Sequence, residues 1–232
     1  MPRWAAMNPY SFLGDAYTIF LVTRKPGLPT GYTMRDMAAD FAVLIRDTFG
    51  EPVDVTGIST GGSIALHLAA DHPDVVRRLV IHSSAHTLSA SAKALQLRVA
   101  ALAQQGDWFG SYATLIRPVM PQGRLAGLFA NPLSRLAALL LLAMAGQPKS
   151  PNDLVVTVEA EDHHAFRTRL GEIVAPTLVV AGDCDPFYTE ALFRETAAGI
   201  PQAKLALYRA QGHPAAGPQF RRDMRAFLLG EH

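Results

Sequence analysis

A single cysteine, Cys184, stands in the 232 residues of this chain. An internal disulfide is therefore excluded, and with it any argument for secretion from a cross-linked framework. Long apolar runs are scarce as well. The longest, Leu136 to Ala145, falls well short of the ~20 residues a membrane-spanning helix needs. The start of the chain lacks a basic region leading into an apolar run with a small-residue cleavage site. These absences predict a cytoplasmic protein with no stable membrane insertion. Excess charge of one sign is missing too: 21 Lys and Arg stand against 20 Asp and Glu, a formal net charge of +1. Scattered arginines without a motif give no case for nucleic acid. Metal-ligand spacing is absent: Glu161, Asp162, His163 and His164 are consecutive, so the two imidazoles diverge on a helix, and no second ligand group accompanies them. That cluster reads as a solvated helix start, and neither metal nor organic cofactor is expected. Oligomeric state leaves no mark in the sequence.

What is present begins with an apolar fraction of 49%, ample for the core of one domain with an insertion. Its most informative stretch is Gly57-Ile58-Ser59-Thr60-Gly61, with Gly62 behind it. The strand-like run Val53 to Thr56 precedes it and the Ala/Leu-rich helical run Ile64 to Ala70 follows. A Gly-x-Ser-x-Gly between strand and helix reads as a nucleophile elbow, a sharp turn that lifts the Ser hydroxyl above the sheet edge. A helix N-cap would also suit Ser59, but a cap needs no flanking glycines.

A Ser hydroxyl is a weak nucleophile until a base takes its proton and a carboxylate orients that base. Candidates follow at the ends of later strands. Pro176 to Gly182 reads as a buried parallel strand leading into Asp183-Cys184-Asp185-Pro186. Lys204 to Tyr208 reads as another, leading into Gln211-Gly212-His213-Pro214. Either Asp183 or Asp185, and His213, would thus share a sheet rim with Ser59, where ligands of open α/β sheets gather.

Around these, Thr33-Met34-Arg35-Asp36 looks like a capping box opening a helix to about Phe49, with Met37, Phe41, Leu44 and Ile45 on one face. Arg78 to His82 reads as a strand, and Thr189–Ala198 and Gln219–Leu229 as helices. Alternating strands and helices predict an α/β fold with a mostly parallel sheet flanked by helices. Between Ser83 and about Phe166 the alternation stops, leaving several Ala/Leu-rich helices without a strand.

The elbow at Gly57 to Gly62, the strand-Gly-Asp-x-Asp block and the late Gly-His together resemble the α/β-hydrolase family, over most of the chain from about Tyr17 onward. The resemblance implies Ser59 as nucleophile, Asp185 as the acid and His213 as general base, with Asp183 bonding turn amides. It implies the Thr60 backbone N–H as one oxyanion-hole donor, and no cofactor. It divides the chain into a core, 1–85 and 166–232, and a helical cap inserted after the family's sixth strand, 86–165. Pocket-facing candidates on the cap are Trp108, Phe109, Tyr112, Met120, Phe129 and Met144, each able to serve equally as cap core. From His86 to Ser150, Lys93, Arg98, Arg117, Arg124, Arg135 and Lys149 stand against Asp107 alone, either as solvated helix faces or as an attractor of anionic substrate.

Two departures from the family pattern stand out. No His-Gly-type loop is present to supply the second oxyanion donor. Tyr17 to Val22 resembles the family's fourth strand, yet only sixteen residues precede it, so the family's first three strands have no counterpart. The expectation drawn from this is that Met1 is an internal residue of a longer natural protein. The activity implied is hydrolysis of an ester or thioester of a small, largely apolar substrate. The alternatives are acyl transfer with the same three residues, and a catalytically silent binding protein.

Overall fold

The computed structural model describes residues 9–120, 132–140 and 150–231. Four parallel strands form one sheet in the order β1-β2-β3-β4: β1 (Val53–Ile58), β2 (Val76–His82), β3 (Thr177–Gly182) and β4 (Ala203–Tyr208). The helices are α1 (Met34–Phe49), α2 (Thr60–Asp71), α3 (Ala90–Gln104), α4 (Trp108–Ile116), α5 (132–140), α6 (Asn152–Asp162), α7 (Glu190–Gly199) and α8 (Pro218–Leu229). Each parallel connection crosses over through helix, as parallel neighbours require. The stretch between β2 and β3 contains α3 to α6 and no strand among its described residues.

Local chemistry sets the boundaries. Thr33 caps α1 by accepting from the Asp36 N–H, while the Asp36 carboxylate accepts from the Thr33 N–H at 2.9 Å, the reciprocal pair of a capping box. Gly50, in the left-handed conformation with φ 68°, closes the helix. β3 is buried along its whole length, which its unbroken apolar run demands. Apolar side chains on one face of the sheet pack with α1, α2 and α7, through Met37, Ile45, Leu66, Leu79, Val179 and Phe193. The opposite face packs under α8 and the residues before α1, through Leu13, Val80, Val180, Tyr208, Phe220 and Met224.

The strand expected at Tyr17 to Val22 does not form. Among the described residues no strand pairs with the outer side of β1, and this segment does not extend the sheet there. Tyr17 and Ile19 still turn toward the core under α8, and the Tyr17 hydroxyl reaches Asp54 Oδ2 at 2.8 Å and the Leu228 carbonyl at 2.7 Å. Phe20, Leu21 and Val22 remain more than half exposed. Leu44 also departs from expectation: it is exposed and borders an open cavity between α1 and Thr23-Arg24-Lys25, rather than joining the buried face of α1.

Candidate active site

Ser59 occupies the turn between β1 and α2 with φ 53° and ψ −127°, a conformation that a non-glycine residue holds only when its surroundings force it. Its N–H donates to the His82 carbonyl at 3.0 Å and its carbonyl accepts from the Gly62 N–H at 2.7 Å. The glycines are steric requirements at two positions. A Cβ on Gly57 would lie 2.4 Å from the Gly61 carbonyl oxygen, and one on Gly62 would lie 2.4 Å from Ser84 Cβ. Gly61, by contrast, faces open space.

The downstream candidates converge on this turn. His213 Nε2 is 3.1 Å from Ser59 Oγ, and His213 Nδ1 is 2.7 Å from Asp185 Oδ2. Asp185 is itself fixed, because its Oδ1 accepts from the Phe187 and Tyr188 amides at 2.9 and 3.2 Å. The rival acid, Asp183, points elsewhere: its Oδ1 accepts from the Ala210 N–H at 2.7 Å, the work of a turn residue. Gly182 makes this convergence possible, since a Cβ there would lie 2.1 Å from the Gln211 carbonyl oxygen. The two loops carrying Asp185 and His213 can therefore cross in contact, joined by the Cys184 N–H to the Gln211 carbonyl.

His213 is held between rings. Tyr188 stacks on it at 6.2 Å between centroids, and Phe187 meets it edge-on at 4.8 Å. This leaves little freedom for the imidazole to swing away from Ser59. Thr60 is the first residue of α2, where the opening amides of a helix have no intrahelical acceptor and the dipole favours negative charge. Its N–H is thus suited to an oxyanion. No His-Gly-type second donor is seen among the described residues.

The aromatic candidates lie farther out. Trp108, Phe109 and Tyr112 sit on α4, with Trp108 buried and 6.0 Å from Tyr112, while Phe109 lies under the Arg135 guanidinium at 5.4 Å. None of their rings is among those touching His213. Met120 ends a 3-10 turn after α4 and is half-buried. Phe129 and Met144, with Arg124 and Lys149, lie outside the described residues. No group of three or more His, Cys, Asp or Glu side chains is close enough to hold a metal among the described residues. No helix of the described residues is long and apolar enough to cross a membrane.

Two polar residues expected on a solvated helix start are instead buried against α2. Glu161 does not open a solvated helix; it lies near the end of α6, fully buried, and accepts from Ser63 Oγ on α2 at 2.6 Å. Burial raises its carboxyl above the ordinary carboxylate value, opposed by the Ser63 and Thr60 hydroxyls, and its Oε2 has no hydrogen-bond partner among the described residues. His164 is likewise buried, against His67 and Phe166, and burial holds its imidazole down to about 3. A signal existed: Glu161 falls three and four residues after Val158 and Thr157, on the face α6 buries. His82, which ends β2, is also buried, with its imidazole held down to about 4 by burial.

The family model for the alpha/beta hydrolase fold matches residues 20–216. "Putative carbamate hydrolase RutD" of Serratia proteamaculans (strain 568) is 29% identical over 205 residues, covering 85% of this chain and 72% of the relative. The crystal structure of MGS-M2, an alpha/beta hydrolase enzyme from a Medee basin deep-sea metagenome library, is similar with a TM-score of 0.72 and 20% identity, covering 88% of this chain and 73% of that one. The enol-lactonase of Burkholderia xenovorans LB400 is similar with a TM-score of 0.68 and 20% identity, covering 89% and 77%. At these identities the likeness to the solved structures is one of fold.

Proposed function

The chain belongs to the α/β-hydrolase family, and we propose that it is a serine hydrolase cleaving an ester or thioester of a small, largely apolar molecule through an acyl-enzyme on Ser59. The observation that carries this reading is the unbroken series of contacts from Asp185 through His213 to Ser59 Oγ. Asp185 keeps the His213 proton on Nδ1, which leaves Nε2 free to accept the Ser59 proton as Oγ attacks the carbonyl carbon. The tetrahedral oxyanion then lies at the start of α2, where the Thr60 N–H donates to it. Collapse expels the alcohol or thiol, which takes the proton from His213 Nε2. Water, deprotonated by the same nitrogen, attacks the acyl carbon and releases the acid with Ser59 restored.

In this reading α3 to α6, within 86–165, form a cap that excludes water, with Trp108, Phe109 and Tyr112 on the acyl side. One relative is named a carbamate hydrolase and one structural neighbour an enol-lactonase, and a carbamate and a lactone each offer a carbonyl carbon to such an attack. Lactones, being cyclic esters, and carbamates therefore belong in the first substrate screen. The test is exposure of the folded chain to a fluorophosphonate probe, with any adduct located by mass spectrometry. An adduct on Ser59 that disappears in His213→Ala is expected. A chain with a cooperative thermal transition and no adduct would instead favour a silent, binding-only role. Added alcohol or amine acceptors that divert the acyl group from water would redirect the assignment to an acyltransferase.

A further inference from the structure

His82 ends β2 and touches both halves of the site. Its carbonyl accepts the N–H of Ser59 at 3.0 Å, the contact that anchors the strained elbow to the neighbouring strand. Its imidazole Nε2 lies 2.8 Å from the carbonyl oxygen of Ala215, two residues beyond His213. A carbonyl can only accept, so Nε2 carries the proton. Burial keeps the ring neutral, with its value held down to about 4, so Nδ1 is bare and accepts from the Tyr10 hydroxyl at 2.9 Å. Phe220 stacks on the ring at 4.6 Å, fixing its plane. The next residue doubles the link: Ser83, turned to φ 47°, accepts the Ala215 N–H on its Oγ at 2.9 Å. Both polar groups of the Ala215 backbone are therefore held by consecutive residues at the end of one strand.

We propose that His82 is a positioning residue of the hydrolytic site, holding Ser59 through its carbonyl and the loop of His213 through its imidazole, so that nucleophile and base keep hydrogen-bond register. This rests on the reading of Ser59 and His213 as nucleophile and base. The carbonyl contact survives any substitution, whereas the imidazole contact is the side chain's own and can be removed alone. The consequence belongs to the chemical step. Substrate affinity depends on the surfaces above the site, while proton transfer depends on the gap between Nε2 and Oγ, and a misplacement of ~1 Å there costs on the order of 100-fold in rate.

The test compares three variants by ester hydrolysis and by the nitrogen-15 spectrum of the imidazoles. His82→Phe keeps the ring against Phe220 and removes both polar contacts; kcat is expected to fall about 10- to 100-fold with KM little changed. His82→Gln, whose amide reaches the Nε2 position and can donate to Ala215, is expected to restore most of the rate. His82→Asn, too short to reach Ala215 yet able to accept from Tyr10, is expected to behave as His82→Phe and serves if that variant does not fold. In the spectrum of the unaltered protein His82 should be protonated on Nε2, and the His213 signals should move in His82→Asn but not in His82→Gln. Unchanged kcat in folded His82→Phe or His82→Asn, a Gln variant as slow as the Phe variant, or unmoved His213 signals would each overturn the proposal. If the unaltered chain neither turns over ester nor labels on Ser59, the hydrolase reading fails by itself, and the His213 signals still decide whether His82 sets that loop.

Discussion

Replacing Asp185 by Asn changes a single atom, yet the surrounding bonds dictate how the amide must sit. Asp185 Oδ1 accepts from two backbone amides, Phe187 and Tyr188. The carbonyl oxygen of Asn must stay there, because the flipped amide would set its NH2 against two N–H donors. The NH2 group therefore faces His213 Nδ1, now forced to accept. The imidazole proton moves to Nε2, which lies 3.1 Å from Ser59 Oγ and can no longer take the Ser proton. The nearest measured precedent for an inverted tautomer of this kind is a loss of about 10⁴-fold in kcat, and that is the expected size here. Stability should change little, since the backbone hydrogen bonds survive and one neutral hydrogen bond is worth only about 1 kcal/mol. The assay is ester hydrolysis beside a thermal unfolding curve, with Asp183→Asn as control. The control keeps an oxygen for the Ala210 N–H and should lose less than about twofold, a loss within experimental scatter on the scale of rate ratios. Asp185→Asn with kcat within about tenfold of the unaltered protein, or Asp183→Asn as the slower variant, would refute the assignment of acid and orientation.

Gly62→Ala should destabilise by about 1–3 kcal/mol, because its Cβ would collide with Ser84, whereas Gly61→Ala has room and should cost nothing; denaturant melts of the pair that coincide would show the close packing is not real. His67, His82 and His164 are held down by burial to about 4, about 4 and about 3. Their folded values lie below the unfolded ~6.5, so the stability they carry is complete above that pH and is lost as pH falls through about 4. A Tm that does not decline between pH 6.5 and pH 4, about the interval these values span, would contradict their burial as neutral rings. Glu161 has the opposite sign: its folded value is raised, so its contribution is complete below the unfolded ~4.3 and is lost as pH rises through the folded value. Glu161→Gln should therefore gain Tm relative to the unaltered protein as pH rises, and parallel Tm curves would exclude a raised carboxyl there.

The strands were legible where burial on both faces leaves a continuous apolar run, as from Thr177 to Gly182. The α1 start was legible because a capping box is purely local chemistry. The turn with Ser59 was legible because two of its glycines, Gly57 and Gly62, have no room for a Cβ. What could not be read depended on partners distant in sequence. Tyr17 to Val22 has the composition of a strand, but a strand exists only with a partner, and none pairs with it among the described residues. Glu161 and His82 look like ordinary polar residues until α6 and β2 carry them against Ser63 and Ala215. The exposed Leu44 fits a helical stripe by period alone; the open flank beside α1 decides its burial.

Among the described residues, the spatial order of the strands is also their order of synthesis. As the chain leaves the ribosome, each strand can dock on the free edge of the one before, and nothing need be unpicked to admit a later one. Ser59 emerges with β1 and His213 only after β4, 154 residues later. On the proposed mechanism, a nascent or refolding chain thus carries an inert serine until β4 and the turn beyond it have settled. If Ser59 is the nucleophile proposed above, the appearance of its reactivity reports the docking of β4 on β3, and a probe for that residue doubles as a clock for the described sheet.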